Sequence, residues 1–215
     1  MASVPPYHSR RAVLAGLTGL PLAAPAQAAA KPVVITILGD SITAGYGLKA
    51  EEALPAQLQA ALGRIGVRTL VRGAGVSGDT TAGGLGRLDF SVQGDTALCI
   101  VALGGNDLLQ GLDPNATRAN LEAIARRLKA RRIGVLLCGL RAPARMNAGF
   151  ARAFNAAFPA AARAEAAPFY PDLLAGVELI PGLNQGDGLH PNARGVKIIA
   201  ARLAPVAARA LRTRR

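Results

Sequence analysis

The sequence predicts an α/β fold in which a parallel sheet lies between two layers of helices, a three-layer α/β/α sandwich. Two observations carry this prediction. Apolar runs of strand length alternate along the chain with segments of helical periodicity, as in parallel sheets covered on both faces. Four polar, glycine-rich segments also follow the strands or precede the last helix, where sheets of this kind hold their functional groups.

Continuous apolar runs predict the strands, because a strand buried on both faces does not alternate between apolar and polar residues. Each run is short enough for a strand, and polar or glycine-rich segments separate it from the next. The predicted strands are residues 33–38, 67–71, 97–103 and 133–140, with a weaker one at 167–170.

Three segments predict helices. The segment 51–66 starts with two glutamates and has its proline in the first turns, both favourable at a helix N-terminus. The segment 115–132 spaces its apolar residues by three and four and ends in cations. The segment 192–211 carries one long apolar face, and Pro205 predicts a kink there.

The first 28 residues predict an export signal. Arg10 and Arg11 precede a weakly apolar stretch and the small-residue triplet Ala26-Gln27-Ala28, the layout of a cleavable secretory signal, here of the twin-arginine type. The alternative is an uncleaved anchor, but about 13 apolar residues fall short of the roughly 20 that span a bilayer. We therefore expect a signal peptide at 1–28, a single catalytic domain at 29–215, and a periplasmic or secreted protein with no membrane span after cleavage.

The charge balance is strongly basic without indicating a nucleic-acid partner. Loss of Arg10 and Arg11 with the signal lowers the formal net charge from +12 to +10. The arginines are scattered, aromatic residues make up 4%, and tryptophan is absent, which leaves little for base stacking. A solvated basic surface is the default interpretation.

Cys99 and Cys138 each lie inside an apolar run, which predicts two buried, unbridged thiols.

The polar loops contain the parts of a hydrolytic site. Ser41 follows the first strand in "GDSITAGYG", and His190, the one histidine left after signal removal, lies three residues after Asp187 in the turn "GDGLHPN". In such a turn the carboxylate can fold back on one ring nitrogen, and the other nitrogen can face a hydroxyl. Taken singly, Ser41 could instead cap a helix, and the Asp187–His190 segment could be an ordinary turn before a helix.

Donors for a developing oxyanion come from three loops. They are the backbone N–H groups of Ser41 and Gly78 and the side-chain amide of Asn106. Asn106 and its neighbour Asp107, taken alone, are more simply turn residues. The sequence contains no clustered cysteines or histidines that would bind zinc, so neither a metal nor a cofactor is expected.

The segments "GDSIT", "SGDTTAGGLGRL", "GGNDLL" and "DGLHPN" together resemble the four sequence blocks of the GDSL/SGNH hydrolases, in particular their small exported arylesterase, thioesterase and lysophospholipase branch. The resemblance covers the chain from about Lys31 onward. It implies a flavodoxin-like fold and a serine hydrolase that cleaves carboxylic esters or thioesters, lysophospholipids among them, through an acyl-enzyme. It also implies Ser41, Asp187 and His190 as the triad, and Ser41, Gly78 and Asn106 as the oxyanion hole.

One loop departs from that branch. Met146 and Asn147 stand where the branch tends to carry a tyrosine–glycine pair, in the segment "RAPARMNAGFARAF". We expect these two residues to contact the substrate if this loop borders the acyl pocket, although Met146 is equally suited to filling a gap in the core.

Other functions compete with this interpretation. Gly73, Gly75 and Gly78 form a GxGxxG pattern after a strand, which in another context binds a dinucleotide. The carboxylate at roughly the right distance onward, Asp95, precedes the third strand, whereas a ribose-binding carboxylate should follow the second. A non-catalytic carbohydrate-binding domain and a carbohydrate O-deacetylase remain alternatives on the same fold, and the scarcity of aromatic residues favours simple acyl or aryl esters.

Overall fold

The computed structural model describes residues 1–3, 31–143 and 146–213. The chain divides into two units, Met1–Lys31 and Pro32–Arg215. The described residues of the first unit belong to no helix or strand. Residues 4–28 of the predicted signal peptide lie outside the described residues, so the signal and the domain boundary after it stay predictions.

The second unit is built on a parallel sheet. Among the described residues it has five strands in the order β2-β1-β3-β4-β5, which is the flavodoxin-like order. The predicted α/β class and parallel sheet are therefore confirmed. The strands are β1 Val33–Gly39, β2 Thr69–Gly75, β3 Leu98–Ala102, β4 Gly134–Cys138 and β5 Phe169–Tyr170.

Helices cover the sheet on both faces. The short ones follow strands at the sheet's carboxyl edge, and the long ones return the chain to the opposite edge. Helix α2 packs against α8, whereas α6 packs against α3 and α7. The helices are α1 Ser41–Ala44, α2 Leu54–Arg64, α3 Thr81–Gly86, α4 Leu88–Ser91, α5 Gly105–Leu109, α6 Pro114–Ala130, α7 Ala148–Ala164 and α8 Ala193–Arg212.

The core explains why the strand segments are apolar. Every residue of β3 is buried, as are the last five residues of β1, because helices shield both faces. Cys99 and Cys138 lie in this core as free thiols, and burial raises the pKa of both, that of Cys99 to about 12. Neither thiol is therefore ionised near neutral pH.

Two elements differ from the sequence prediction. Strand β2 begins at Thr69 and continues through Gly75, so the glycines assigned to a loop still belong to the strand. Helix α7 begins at Ala148, so it covers the second half of the segment 141–154 that was interpreted as a loop bordering the substrate. Pro159 lies inside this helix, although proline in a helix interior is normally a breaker.

None of the helices in the part of the chain that the structure describes combines the length and the hydropathy that a membrane-spanning segment needs.

Candidate active site

Strand β1 places Ser41 at the carboxyl edge of the sheet, as the first residue of α1. Asp40, not Ser41, caps this helix, since its Oδ1 accepts a hydrogen bond from the Ile42 N–H at 3.0 Å. The Ser41 hydroxyl is therefore not used as a cap, which removes that alternative for this serine.

The loop before α8 brings a histidine to this hydroxyl. His190 Nε2 lies 2.9 Å from Ser41 Oγ although the two residues are 149 positions apart. On the other side of the ring, Nδ1 lies 2.6 Å from Asp187 Oδ2. The three side chains thus form the continuous chain of hydrogen bonds that a hydroxyl nucleophile, a base and an orienting carboxylate require.

Local hydrogen bonds fix the Asp187 carboxylate. Its Oδ1 accepts from the backbone N–H groups of Leu189, at 2.9 Å, and His190, at 3.0 Å. The hydrogen bond to the His190 ring, followed by these backbone bonds, lowers the pKa of Asp187 to about 2. Asp187 is accordingly ionised throughout the pH range in which histidines titrate.

Two residues that the sequence analysis did not single out support the imidazole. The Tyr46 ring lies with its centroid 4.7 Å from that of His190. Gln185 Nε2 donates to the carbonyl oxygens of Tyr46, at 2.7 Å, and Pro191, at 3.1 Å, joining the nucleophile segment to the histidine loop. Tyr46 could have been predicted to lie near the site because it belongs to the "GDSITAGYG" segment, whereas nothing in the sequence around Gln185 indicated its role.

The proposed oxyanion donors line the same cavity as Ser41 and His190. Gly78 has a φ of +82°, a conformation that favours glycine. Asn106 lies in α5, and its Nδ2 donates to the carbonyl oxygen of Asp79 at 2.8 Å. That bond uses one amide proton, and an asparagine amide has a second one to offer.

Asp107 is a buried anchor rather than the simple turn residue that its local sequence suggested. Its side chain is only 1% exposed, and it accepts from the Thr81 N–H at 2.8 Å, from the Thr81 hydroxyl, and from the Thr117 hydroxyl at 3.1 Å. These bonds tie α5 to α3 and α6, which fixes the backbone on which Asn106 stands.

Asp40 places a second titratable group beside the nucleophile. It is 4% exposed and lines the cavity. Burial raises the pKa of its carboxyl from the usual 3.8 to about 6, against the opposing effects of the Ile42 N–H and the His190 ring. Asp79 acts in the same direction as burial, because a nearby negative charge disfavours a second one.

The cavity in front of Ser41 has a volume of about 470 Å³. Its walls are largely aliphatic. Among the described lining residues, the ionisable ones besides His190 and Tyr46 are Asp40, Arg141 and Glu178, and Tyr46 is the aromatic ring besides the imidazole. The aliphatic and sulfur-containing lining residues are Ile42, Leu108, Leu109, Leu140, Pro143, Met146, Leu174, Leu179 and Leu189.

The two residues predicted to contact substrate have different surroundings. Met146 lines the cavity. Asn147 caps α7, with its Oδ1 accepting from the N–H groups of Gly149 and Phe150, and it is not among the residues that line the cavity. Substrate contact by Asn147 therefore stays a prediction, and the structure gives this residue a capping role.

The GxGxxG pattern does not open a dinucleotide-binding helix. A Cβ on Gly75 would lie 2.2 Å from the Ala44 backbone nitrogen, and one on Gly73 would lie 2.8 Å from Pro55 Cγ. These two glycines are needed because α1 and the start of α2 pack directly on β2, so they serve packing rather than phosphate binding. Among the described residues, no three His, Cys, Asp or Glu side chains cluster as metal ligands would.

Comparison with known proteins agrees with this geometry. Residues 37–198 match the profile of the GDSL-like lipase/acylhydrolase family. The chain is 37% identical over 166 residues to esterase TesA of Pseudomonas aeruginosa, covering 77% of this chain and 82% of that protein. It is also 37% identical over 173 residues to thioesterase 1/protease 1/lysophospholipase L1 of Escherichia coli K12, covering 80% of this chain and 82% of the other.

Solved structures show the same likeness. The crystal structure of TesA superposes with a TM-score of 0.78 at 33% identity, over 82% of this chain and 99% of the other. That of AlinE4, an SGNH-hydrolase family esterase, superposes with a TM-score of 0.71 at 43% identity, over 85% of this chain and 98% of the other.

Proposed function

The chain belongs to the GDSL-like lipase/acylhydrolase family and is an ester-hydrolysing serine hydrolase, and from that premise we propose that it cleaves carboxylic esters and thioesters with Ser41 as the nucleophile. The observation that carries this proposal is the hydrogen-bonded chain from Ser41 Oγ through the His190 ring to Asp187. A lone serine is a weak nucleophile, and a base at 2.9 Å is what activates it.

In the acylation step, His190 Nε2 removes the proton of Ser41 as its oxygen attacks the substrate carbonyl. The carbonyl oxygen becomes negatively charged and is stabilised by the N–H groups of Ser41 and Gly78 and by the Asn106 amide. His190 then donates its proton to the departing alcohol or thiol, which leaves the acyl group on Ser41.

In the deacylation step, a water molecule takes the place of the leaving group. His190 removes its proton, the oxyanion forms again on the same donors, and Ser41 is released with the carboxylic acid as product. Asp187 keeps the proton of neutral His190 on Nδ1, so that Nε2 is free to act as the base, and it stabilises the imidazolium that forms. Its depressed pKa keeps it charged for this purpose.

The lining of the cavity indicates that it binds an apolar acyl group of the substrate. Its aliphatic walls and its volume of about 470 Å³ fit the 300–1,000 Å³ typical of small-molecule sites. Acyl and aryl esters, acyl thioesters and lysophospholipids all present such a group. Carbohydrate acetyl esters fit less well, because Tyr46 is the sole tyrosine, phenylalanine or tryptophan ring among the described lining residues on which a sugar could stack.

We also propose that the enzyme is exported. The double arginine, the apolar stretch and the small-residue triplet support export to the periplasm or the medium, with cleavage after residue 28. Amino-terminal sequencing of the protein recovered from the periplasmic fraction tests this. Recovery of the uncleaved chain from the cytoplasm would contradict it.

The activity is tested with p-nitrophenyl esters from acetate to octanoate, acyl thioesters and lysophospholipid. We expect Ser41→Ala to lower kcat by more than about 10³-fold, since triad residues act as a unit. Ser77→Ala is a matched control that removes another serine hydroxyl from the same cavity, and it should keep most of its turnover. Wild-type turnover in Ser41→Ala would overturn the nucleophile assignment.

A further inference from the structure

One arginine contacts two of the segments that surround the nucleophile. Arg87, at the junction of α3 and α4, donates from Nε to Asp79 Oδ2 at 2.7 Å and from Nη2 to the Gly39 carbonyl oxygen at 2.9 Å. Its Nη1 donates to Ser91 Oγ at 2.9 Å. The side chains of Arg87 and Asp79 are only 20% and 11% exposed, so water screens this pair little.

Each contact lies next to a group that the proposed reaction uses. Gly39 ends β1 two residues before Ser41, and its carbonyl oxygen also accepts from the Val76 N–H at 3.1 Å. Asp79 directly follows Gly78, and the Asp79 carbonyl oxygen accepts the hydrogen bond of the Asn106 amide. The guanidinium therefore holds the side chain of Asp79, whose carbonyl oxygen orients Asn106 and whose backbone continues directly from Gly78.

We propose that Arg87 is a positioning residue of the esterase site, which sets the oxyanion donors Gly78 and Asn106 through its ion pair with Asp79. This inference rests on the proposed function, because it assigns a role in stabilising the oxyanion. Arg87 is not among the residues that line the cavity, so it acts through Asp79 rather than on the substrate.

The shape of the guanidinium is what this role requires. Three nitrogens of one planar group donate to three acceptors in fixed directions, which a lysine ammonium cannot reproduce. A small error in the position of a catalytic donor is costly, since a displacement of about 1 Å can lower a rate by about 10²-fold. By fixing the Asp79 side chain, Arg87 limits such displacements of the two donors beside it.

The charge of Arg87 has a second consequence. If the charge of Arg87 were removed, the Asp79 carboxylate would remain largely buried without a cation to balance its charge. The Asp79 charge also reaches Asp40 in the cavity, where it is the smallest of the effects on the carboxyl and acts to raise its pKa. An uncompensated Asp79 would oppose the negative charge of the oxyanion and would favour movement of its loop toward water.

The test is a double-mutant cycle between Arg87→Met and Asn106→Ala, measured as kcat and KM for p-nitrophenyl butyrate. We expect Arg87→Met to lower kcat at least about tenfold with little change in KM, because the oxyanion forms only in the transition state. In the Asn106→Ala background, the same change should cost clearly less than in the wild-type background, about threefold, because one of the two donors that Arg87 positions is already gone and only Gly78 still depends on it.

Arg72→Met is the matched control. Arg72 also pairs with an aspartate, Asp95 at 2.6 Å, but neither residue lines the cavity, so its loss should leave kcat unchanged. An Arg87→Met variant with normal kcat would overturn the proposal. So would a loss of the same size in both backgrounds, since a merely structural role predicts equal factors.

If Arg87→Met does not fold, Asp79→Asn replaces it in the cycle. This variant keeps the backbone carbonyl that accepts from Asn106 and removes the charge of the pair. A smaller loss of kcat in the Asn106→Ala background supports the proposal, and an equal loss or none overturns it. Failure of the proposed function is a distinct result, namely wild-type protein without ester hydrolysis or with turnover that survives Ser41→Ala.

Discussion

The buried carboxyl of Asp40 should make the stability of the fold depend on pH in a defined way. Burial raises its pKa from 3.8 to about 6 in the folded protein, so the native state holds the proton more tightly than the unfolded chain does. The stability that this proton contributes is present below about pH 4 and is lost as the pH rises through about 6. At about 1.4 kcal/mol per pH unit, the loss is about 3 kcal/mol.

Asp40→Asn isolates this contribution. Asparagine keeps an oxygen that accepts the Ile42 N–H, and it does not ionise. Urea denaturation across about pH 3.5 to 7.5 gives the free energy of unfolding of both proteins. At each pH, subtracting the value of the variant from that of the wild type cancels the contributions of the groups that the two proteins share. Relative to the variant, the wild type should lose about 3 kcal/mol between these limits. A difference that does not change with pH would refute the raised pKa and the burial argument behind it.

Two further predictions concern the framework of the site. Asp107→Ala leaves the buried Thr81 N–H without its acceptor, so the free energy of unfolding should fall by about 2–4 kcal/mol in urea denaturation, and a loss below about 1 kcal/mol would contradict the anchoring role. Gly75→Ala should be strongly destabilising because its Cβ would meet the Ala44 backbone nitrogen at 2.2 Å, whereas Gly63→Ala, in open space on α2, should stabilise by about 0.5–1 kcal/mol. Thermal unfolding of the pair measures both, and equal effects would refute the packing explanation.

The strand and helix order could be predicted from the sequence because buried strands and amphipathic helices leave periodic signals of their own. The errors arose where tertiary packing overrides those signals. Gly73 and Gly75 look like loop residues, yet they belong to β2 because α1 and Pro55 pack against them. Helix α7 buries Phe154 and Phe158 at helical spacing in the core and contains Pro159, and the sequence analysis had interpreted its first residues as a loop.

The site was predictable to the extent that chemistry restricts the residue type. A histidine base, its carboxylate and a serine at a strand end are recognisable from sequence, and the structure brings Ser41, Asp187 and His190 together. The residues that support the site could not be predicted in this way, because their hydrogen-bond partners are distant in the chain. Asp107 accepts a hydrogen bond from Thr81, 26 residues away, and Arg87 donates one to Gly39, 48 residues away. No pattern in the sequence around either residue indicates these pairings.

The proposed function requires that the Ser41 hydroxyl attacks the substrate because the His190 ring activates it. Mass spectrometry of the protein after reaction with a p-nitrophenyl phosphonate tests this directly, since such reagents stay on the nucleophile. We predict one adduct, on the peptide that contains Ser41, with its formation slowed strongly in His190→Ala and absent in Ser41→Ala. An adduct on another residue that abolishes ester hydrolysis would contradict the assignment of Ser41 as the nucleophile. Labelling of His190→Ala at the wild-type rate would contradict activation by the His190 ring.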